Sequence, residues 1–250
     1  MQICKLLRAS ACDAIQFMRK IVIDGSNTSG FQRTALVATG GLVEVDGLDI
    51  PIETICLEED SAKIIEKTDS FDIYHLGRLG IPLVEIATAP AIKNPTQLKR
   101  VAEEIGLLLR STNVKRGLGT IRQDVNVSVK GGARVEIKGA QDLSMLEKIG
   151  ELEAQRQVKL IEVSKIISDK RFQESEEIVD LSEIFKETSS KRIKENLMKG
   201  EGVFGIALKS YKGVLGTELA PLLRVGSEVS DYAKSSSSIK GLFHRHELPN

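Results

Sequence analysis

The chain has 250 residues, with 35 basic and 35 acidic side chains and therefore no formal net charge. This length can bury the core of one large domain or of two modest ones. The balanced charge neither favours nor excludes a nucleic-acid partner, since a basic face can hide in the average. The absence of Trp and the 4% aromatic content argue against a base-stacking surface for single strands.

The composition also indicates a cytoplasmic protein that does not enter a membrane. Apolar runs stay short of the roughly 18 residues of a membrane span, and a signal peptide is not visible. The three cysteines, Cys4, Cys12 and Cys56, lie too far apart for a disulfide framework or a zinc site. The first residues lack a convincing helix cap, and the chain stops soon after apolar Leu242 and Phe243. We therefore expect material to be missing at both ends.

The first predicted strand, Met18–Ile23, runs into a loop of small polar residues. These are Gly25, Ser26, Asn27, Ser29 and Gly30. Such a loop brings backbone N–H groups and hydroxyls close to a ligand, as phosphate-binding loops do. It lacks the Gly-Lys-Ser/Thr ending of a Walker A loop, so a plain turn is the alternative. The next stretch predicts a hairpin from Thr34–Ala38 and Leu42–Val45, turning at Gly40-Gly41.

Two further strands each carry a glutamate of interest. The alternation over residues 52–59 predicts a strand, and the acidic run from Glu58 is expected to open a short helix reaching Ile65. Glu58 is then either a helix-dipole partner or a metal ligand at a strand end. Residues 83–87 predict a buried strand containing Glu85, whose carboxylate needs a cation or donors. A salt bridge with Arg78 and a metal ligand are the two interpretations; His75 is interpreted as structural.

Residues 116–138 predict a hairpin with one polar face. Even positions from Arg122 to Ser128 are polar, and the odd positions are mostly apolar. A three-residue loop, residues 131–133, pairs Ser128 with Glu136 and keeps the polar residues on one face and the apolar residues on the other. A two-residue loop would mix polar and apolar residues on each face. The predicted polar face carries Asp124 and Glu136 among basic neighbours Arg122, Arg134 and Lys138. A solvated sheet face is the alternative.

The remaining pattern predicts an α+β fold with helices on one face of a sheet. Asn94-Pro95 begins one helix, with Asn as the cap and Pro at the first position, and a second helix covers about 143–159. Residues 164–180 are charged and weakly patterned, which indicates a linker. Residues 181–250 predict a small second α+β domain, with a strand at 203–208, a short helix at 231–234 and a strand at 241–244.

Four carboxylates thus come from strands of one predicted domain: Glu58, Glu85, Asp124 and Glu136. Oxygen ligands on rigid strands suit Mg²⁺, which keeps waters and bridges to substrate phosphates. Basic side chains such as Arg122 would stabilise phosphoryl oxygens, so the residues suggest phosphoryl transfer.

Several long segments also carry a family resemblance. They are DGSNTSGFQRT (24–34), ICLEEDSA (55–62), HLGRLGIPLVEIATAP (75–90), RGLGTIRQDVNVSVKGGARVEIKGAQDL (116–143) and LEAQRQ (152–157). They resemble the E-subunit family of archaeal glutamyl-tRNA(Gln) amidotransferases, which is paralogous to the B subunit of the bacterial and organellar enzyme. Residues 213–234 and 241–249 resemble an insertion domain shared with bacterial aspartyl-tRNA synthetase. The B subunit lacks that domain, so the resemblance favours the E type.

This resemblance implies a fold and an activity. The fold is a glutamine-synthetase/guanido-kinase-like cradle over residues 1–163, lacking its first strands, then a linker at 164–180 and the insertion domain at 181–250. The activity is that of an ATP-dependent carbon–nitrogen ligase, which uses Mg²⁺ and ATP to phosphorylate the γ-carboxyl of glutamate on tRNA(Gln). Ammonia from an asparaginase-like D subunit then gives glutaminyl-tRNA(Gln), in a heterotetramer of two D and two E subunits.

By motif, the resemblance places Glu58 and Glu85 on Mg²⁺ ligand positions and Asp124 and Glu136 on a second cation-binding pair. The loop Gly25–Gly30 and Arg33 would lie near ATP or the acyl substrate. The family's opening Glu-x-His strand and its tRNA-holding domains have no counterpart in the chain. We therefore expect little or no amidotransferase activity from this polypeptide alone. A non-catalytic tRNA-binding or assembly fragment of the same fold is the alternative function.

Overall fold

The computed structural model describes residues 1–117, 119–169, 177–208, 211 and 213–243. The chain divides into two compact units. The first unit contains residues 1–124 and 138–150, and the second contains 125–137 and the residues from 151 onward. The two units are therefore described one after the other.

The first unit is built from a sheet, a separate hairpin and two helices. The helices are α1 (Gln2–Leu6) and α2 (Pro95–Arg110), with 3₁₀ turns at Leu76–Arg78 and Leu143–Met145, and α3 (Leu146–Asp169) begins in this unit. The strands are β1 (Ser10–Ala11), β2 (Phe17–Ile21), β3 (Phe31–Val45), β4 (Leu48–Glu59), β5 (Lys63–Lys67), β6 (Asp72–His75) and β7 (Pro82–Thr88).

The sheet of the first unit is antiparallel throughout. Its order is β1-β3-β4-β7, and β2 also pairs with β3. Strand β1 pairs with β3 at Ala38 and Thr39, whereas β2 pairs with β3 over residues 31–35. The hairpin of β5 and β6 forms its own two-stranded sheet. Strands β2 and β7 lie at or close to the predicted positions.

The turn between β3 and β4 differs from the sequence prediction. Strand β3 continues through Gly40 and Gly41, and the turn lies at Asp46-Gly47. Both turn residues have positive φ, +51° and +76°, which a two-residue type I′ hairpin turn requires and which Asp-Gly favours. The predicted turn at Gly40-Gly41 is therefore wrong.

Gly41 is a glycine because the segment after α1 crosses β3 closely at this position. A Cβ atom at Gly41 would lie 2.8 Å from the carbonyl oxygen of Leu7 and 3.0 Å from Cβ of Ile52. The same carbonyl accepts a 2.7 Å hydrogen bond from the N–H of Leu42, so the backbone is held in place. Gly41→Ala should lower the free energy of unfolding by about 1–3 kcal/mol, measured by urea denaturation. Glu44→Ala, at an exposed position of β3, is the control, and equal stability of the two variants would contradict the steric explanation.

The core of the first unit lies between the sheet and the helices. Its buried members are Cys4, Leu7, Ala38, Val43, Val45, Ile50, Ile52, Ile55 and Val101. Helix α2 packs against β3, and Asn94 caps it by accepting a 2.8 Å hydrogen bond from the N–H of Gln97. The predicted helix start is confirmed, and so is the mixed helix-and-sheet architecture.

The acidic run after β4 does not form the predicted helix. Glu58 and Glu59 are the last residues of β4, and Lys63 begins β5. The β-branched residues Ile64 and Ile65 favour a strand over a helix at this point. Glu58 therefore does not lie at the start of a helix, and the interpretation of Glu58 as a helix-dipole partner is wrong.

The second unit contains short strand pairs and helices. Its elements are β8 (Val125–Val127), β9 (Val135–Ile137), the continuation of α3, β10 (Ile178–Asp180), a 3₁₀ turn (Ile184–Glu187), α4 (Lys191–Met198), β11 (Phe204–Ile206), β12 (Glu218–Ala220), β13 (Leu223–Arg224) and α5 (Val225–Ser236). The strands pair as β8–β9, β10–β11 and β12–β13, all antiparallel. Val163, Val214, Leu219 and Val225 form its buried core.

In the hairpin of β8 and β9, even-numbered residues lie opposite even-numbered residues, as predicted, but the register differs from the predicted one. Asn126 lies opposite Glu136, and Val127 lies opposite Val135, so the pairing is shifted by two residues. The N–H of Val129 donates to the side-chain oxygen of Gln157 at 3.0 Å instead of to β9. Because this amide is taken by helix α3, the ladder ends at Val127 and the connection is longer than three residues.

The predicted linker at 164–180 is partly regular structure. Helix α3 continues to Asp169 and β10 begins at Ile178, while residues 170–176 lie outside the described residues. Apolar Leu160, Val163 and Ile167 belong to the core of this unit, which explains the extension of the helix. Residues 241–243 are not a strand, and residue 244 lies outside the described part. Within the described chain, no helix is long and apolar enough to cross a membrane.

Candidate active site

Glu58 and Glu85 lie side by side on one face of the sheet of the first unit. Glu85 on β7 is opposite Cys56 on β4, so Glu58, two residues further along β4, is its diagonal neighbour on the same face. The two carboxyl groups are within hydrogen-bonding reach. Burial first, and then the charge of Glu58, raise the pKa of Glu85. The pair therefore concentrates negative charge and favours either a proton or a cation.

Two neighbouring strands supply donors to Glu58. Thr34 on β3 lies opposite Glu58, and its hydroxyl donates to Oε1 of Glu58 at 3.1 Å. The ammonium of Lys20, from β2, bonds to the same oxygen. The Glu58 side chain is 11% exposed, whereas that of Lys20 is 47% exposed. An accessible cation thus already neutralises the less accessible carboxylate.

Asp124 adds to the negative field around this pair. Its charge is among those that raise the pKa of Glu85. The Asp124 carboxylate also accepts a 2.8 Å hydrogen bond from the N–H of Gly139 and lies 3.5 Å from the ammonium of Lys138. The pKa of the Cys56 thiol is raised by burial and then by the charge of Glu85.

The fourth predicted carboxylate, Glu136, lies on β9 in the second unit, opposite Asn126. Its role beside the other three carboxylates stays a prediction, and so does that of Arg134. Within the described residues, no three His, Cys, Asp or Glu side chains form a group that could hold a metal ion. Two adjacent carboxylates nevertheless suit Mg²⁺, which is commonly held by one or two carboxylates together with waters and substrate phosphates.

Two expectations about Glu85 are wrong. The residue as a whole is exposed rather than buried, because β7 is the edge strand of the sheet, although its carboxyl group beside Glu58 is partly shielded from water. Arg78 does not pair with Glu85. Its guanidinium donates to Oδ2 of Asp60, through Nε at 2.9 Å and Nη2 at 2.8 Å. The predicted salt bridge is therefore wrong, but Lys20 is a second protein cation, and its charge lowers the pKa of Glu85. The role of Glu85 as a metal ligand stays a prediction.

Asp60 forms the second focus of the site. It is buried, with 8% of its surface exposed, and its carboxylate accepts from two arginines and a backbone amide. Besides Arg78, the Nη2 group of Arg122 donates to Oδ1 at 3.0 Å, and the N–H of Ser61 donates to the same oxygen at 2.9 Å. The sequence pattern does not predict Asp60 or Arg78 as a site residue.

The small-residue loop between β2 and β3 packs beside this focus. The side-chain amide of Asn27 donates to Ser61 Oγ at 3.2 Å, and the carbonyl of Ser26 accepts from the N–H of Ala62 at 2.9 Å. Both loop side chains are buried. Hydrogen bonds from Ser26 lower the pKa of Asp24, which shows that the loop is internally braced.

The rest of the loop is more accessible. Gly25 and Gly30 have positive φ of +83° and +72°, the region that favours glycine. A Cβ atom at Gly25 would also lie 3.0 Å from the hydroxyl of Tyr74. Ser29 is exposed and donates to the carbonyl of Phe31 at 3.1 Å. The role of the loop in binding ATP stays a prediction, and its backbone and Ser29 are better placed for it than the buried side chains.

Arg33 lies away from the carboxylate pair. It is next to Thr34, which lies opposite Glu58 in the β3–β4 register, and successive residues of a strand alternate faces. Arg33 and Glu58 therefore lie on opposite faces. Hydrogen bonds from Arg33 lower the pKa of Glu59. The structure thus places Arg33 on the face opposite Glu58, and its predicted role near ATP or the acyl substrate stays a prediction.

Comparison with known proteins agrees with the resemblance seen in the sequence. Residues 1–199 match the family described as the GatB/GatE catalytic domain. The relatives include the E subunit of glutamyl-tRNA(Gln) amidotransferase from Pyrococcus furiosus, which is 52% identical over 254 residues. The E subunits from Archaeoglobus fulgidus and Methanocaldococcus jannaschii are each 47% identical.

These matches take in 99–100% of the chain but 40% of each relative, so the chain spans two fifths of their length. The identity is spread over the whole chain and is far above the level at which only a fold is shared. The chain belongs to the GatB/GatE catalytic-domain family.

Proposed function

We propose that this chain carries the phosphorylating part of a tRNA-dependent amidotransferase. The reaction is the ATP-dependent phosphorylation of the γ-carboxyl of glutamate attached to tRNA(Gln), followed by amidation with ammonia. The observation that carries the proposal is the adjacent pair Glu58 and Glu85, with the charge of Asp124 nearby. The names of the relatives, each the E subunit of a glutamyl-tRNA(Gln) amidotransferase, support the general role.

The order of the two steps follows from the chemistry of the carboxyl group. A carboxylate is a poor acyl donor, because its leaving group would be an oxide. Transfer of a phosphoryl group from ATP to one carboxylate oxygen gives an acyl phosphate and ADP. Attack by ammonia on the acyl carbon then forms the C–N bond, releases phosphate and yields the glutamine amide.

Different residues would have different roles in the phosphorylation step. Glu58 and Glu85 would hold Mg²⁺, which when bound offsets the negative charge of the phosphates. Arg122 would contact phosphoryl oxygens, since guanidinium groups suit such oxyanions. Thr34 keeps Glu58 oriented through its hydroxyl. Glu58 and Glu85 are on paired strands, and the Asp60 carboxylate holds Arg122, so all three charges are positioned before a ligand binds, as phosphoryl transfer needs.

The partners follow from the same proposal. Ammonia would come from an asparaginase-like D subunit, in an assembly of two D and two E subunits located in the cytoplasm. The resemblance supports these partners, and the subunit names of the relatives support a multi-subunit enzyme. Because the chain spans 40% of those relatives, the complete reaction is proposed for a protein in which the rest of the relative is present.

A chimera tests the proposal without requiring the chain to act alone. The matching 40% of the Pyrococcus furiosus relative would be replaced by this chain, and ATP-dependent formation of Gln-tRNA(Gln) would be measured with the ammonia-producing subunit. We expect a rate within about tenfold of that of the relative. Catalysis depends on the geometry of the reacting groups, and the replaced part is expected to keep that geometry. The chain alone, with the same subunit, should give little or no product. A folded but inactive chimera would favour a non-catalytic tRNA-binding or assembly role.

A further inference from the structure

We propose that Arg78 and Arg122 form a subsite for the phosphoryl oxygens of a nucleotide, and that Asp60 is the positioning residue that holds both guanidinium groups. This subsite deepens the proposed function and rests on it for the identity of the nucleotide. It differs from the carboxylate pair in its residues, in its charge and in the part of the ligand that it takes.

The hydrogen bonds of the cluster leave donors for a ligand. An arginine has five N–H donors in a planar fork. The described contacts to Asp60 use two N–H donors of Arg78 and one of Arg122. The carboxylate also accepts from the N–H of Ser61, so its oxygens are fully engaged. Further donors of both arginines are therefore available to a ligand, while Asp60 has little capacity left to accept more.

The charge and exposure of the cluster suit an anion. One carboxylate shared by two guanidinium groups leaves one net positive charge at the cluster. Asp60 is 12% exposed at its side chain, whereas Arg78 and Arg122 are 38% and 39% exposed. The negative group is thus on the inside and the positive groups face outward.

The position of Asp60 in the chain links the cluster to the carboxylates and to the loop. Asp60 follows Glu58 by two residues, a step of roughly 7 Å in extended backbone, so an anion at the arginines would lie close to a cation at Glu58. Ser61 and Ala62, the next two residues, hold the small-residue loop through Asn27 and Ser26. This arrangement favours nucleotide phosphates over the phosphates of a nucleic-acid backbone.

The test uses sodium tripolyphosphate as the probe, with EDTA present, in isothermal titration calorimetry on the chain. Without metal and without tRNA, binding depends on the anion subsite and not on the carboxylate pair or on amidation. We expect binding by the unmodified protein and a loss of about tenfold or more in Arg122→Gln, since hydrogen bonds to charged groups are strong. Arg100→Gln, which removes an exposed arginine of α2 paired with Glu103, is the matched control and should bind normally.

Asp60→Asn separates positioning from simple charge. This change makes the cluster more positive, so a purely electrostatic role predicts tighter tripolyphosphate binding. The positioning role predicts binding weaker by severalfold, because the asparagine amide cannot hold both guanidinium groups. Thermal unfolding reports whether the variant folds. If Asp60→Asn does not fold, Arg122→Gln decides, since Arg122 lies outside regular secondary structure and is partly exposed.

Three results of the tripolyphosphate titrations would overturn the subsite. They are undetectable tripolyphosphate binding by the unmodified protein, binding by Arg122→Gln equal to that of Arg100→Gln, and unchanged or tighter binding by a folded Asp60→Asn. Loss of binding to uncharged tRNA in Arg122→Gln, with tripolyphosphate binding intact, would also overturn it and assign the arginines to nucleic acid. None of these results depends on whether the chimera amidates Glu-tRNA(Gln), so the two proposals fail separately.

Discussion

Glu85→Gln in the chimera is expected to lower ATP-dependent formation of Gln-tRNA(Gln) by about 100-fold, the scale on which metal sites lose activity when a ligand or its support is changed. The same substitution should raise the thermal stability of the metal-free chain. Burial and the charge of Glu58 raise the pKa of Glu85, so the ionised form is disfavoured in the fold. A neutral side chain of the same shape removes that repulsion.

The sign of this stability effect follows from linkage. A carboxyl group whose pKa is raised by folding stabilises the fold below its unfolded pKa, and this contribution is lost as the pH rises through the folded pKa. At neutral pH the unmodified Glu85 therefore weakens the metal-free fold, and glutamine relieves it. Glu53→Gln, an exposed carboxylate on β4, is the control for both measurements. Full activity in a folded Glu85→Gln variant would contradict the ligand role, and a lower thermal stability would contradict the predicted repulsion.

Gln157→Leu should lower the free energy of unfolding of the second unit by about 2–4 kcal/mol, because it leaves buried polar groups without partners. Gln157 is 3% exposed. Its side-chain oxygen accepts from the N–H of Val129 at 3.0 Å, and its amide donates to the carbonyl of Val127 at 3.0 Å and to Glu153 at 2.8 Å. One side chain thus fixes the end of β8 to helix α3.

Gln155→Leu provides the matched control for this effect. Gln155 is on the same helix, is exposed, and donates to Glu151 at 3.1 Å. Urea denaturation should show a large loss for Gln157→Leu and a change below about 0.5 kcal/mol for Gln155→Leu. Hydrogen exchange at the Val129 amide should also accelerate in Gln157→Leu alone. Equal stability of the two variants would mean that the Gln157 hydrogen bonds add little.

Arg156 adds two ion pairs to the same helix. It donates to Glu153 at 2.8 Å and to Glu228 of α5 at 2.6 Å. The hydrogen bond with Glu153 is the largest cause that raises the pKa of Arg156, and Glu228 adds to it. These three charges and Gln157 form one buried and half-buried network, so substitutions within it should not be additive.

Local signals are sufficient to predict part of this fold. Asn94 and Pro95 mark the start of α2 because capping and the first helical position depend on neighbouring residues only. Strand β7, with Glu85 inside it, follows from a short apolar run between prolines. The Asp46-Gly47 turn also has a local signal, the Asp-Gly pair that favours hairpins, but the two glycines at 40 and 41 offer a competing one. The real role of Gly41 depends on Leu7, which is far away in the chain.

The second focus of the site cannot be predicted from local pattern. Asp60 meets Arg78 and Arg122 across 18 and 62 residues of sequence, and such pairs are set by how the strands and loops pack. The register of the β8–β9 hairpin escapes prediction for the same reason, since Gln157 takes an amide that the ladder would otherwise use. Glu58 and Glu85 are found because each lies in a strand, and their adjacency then follows from the β4–β7 register.

The most direct test of the proposed cation site is the binding of Mn²⁺, as a spectroscopic substitute for Mg²⁺, to the nucleotide-free chain. Electron paramagnetic resonance would count bound ions in the unmodified protein, in Glu58→Gln and in Glu53→Gln. We predict a divalent-ion site in the unmodified protein that is retained in Glu53→Gln and lost, or weakened by about 100-fold, in Glu58→Gln. Equal Mn²⁺ binding by Glu58→Gln and the unmodified protein would contradict the claim that Glu58 and Glu85 hold the catalytic cation.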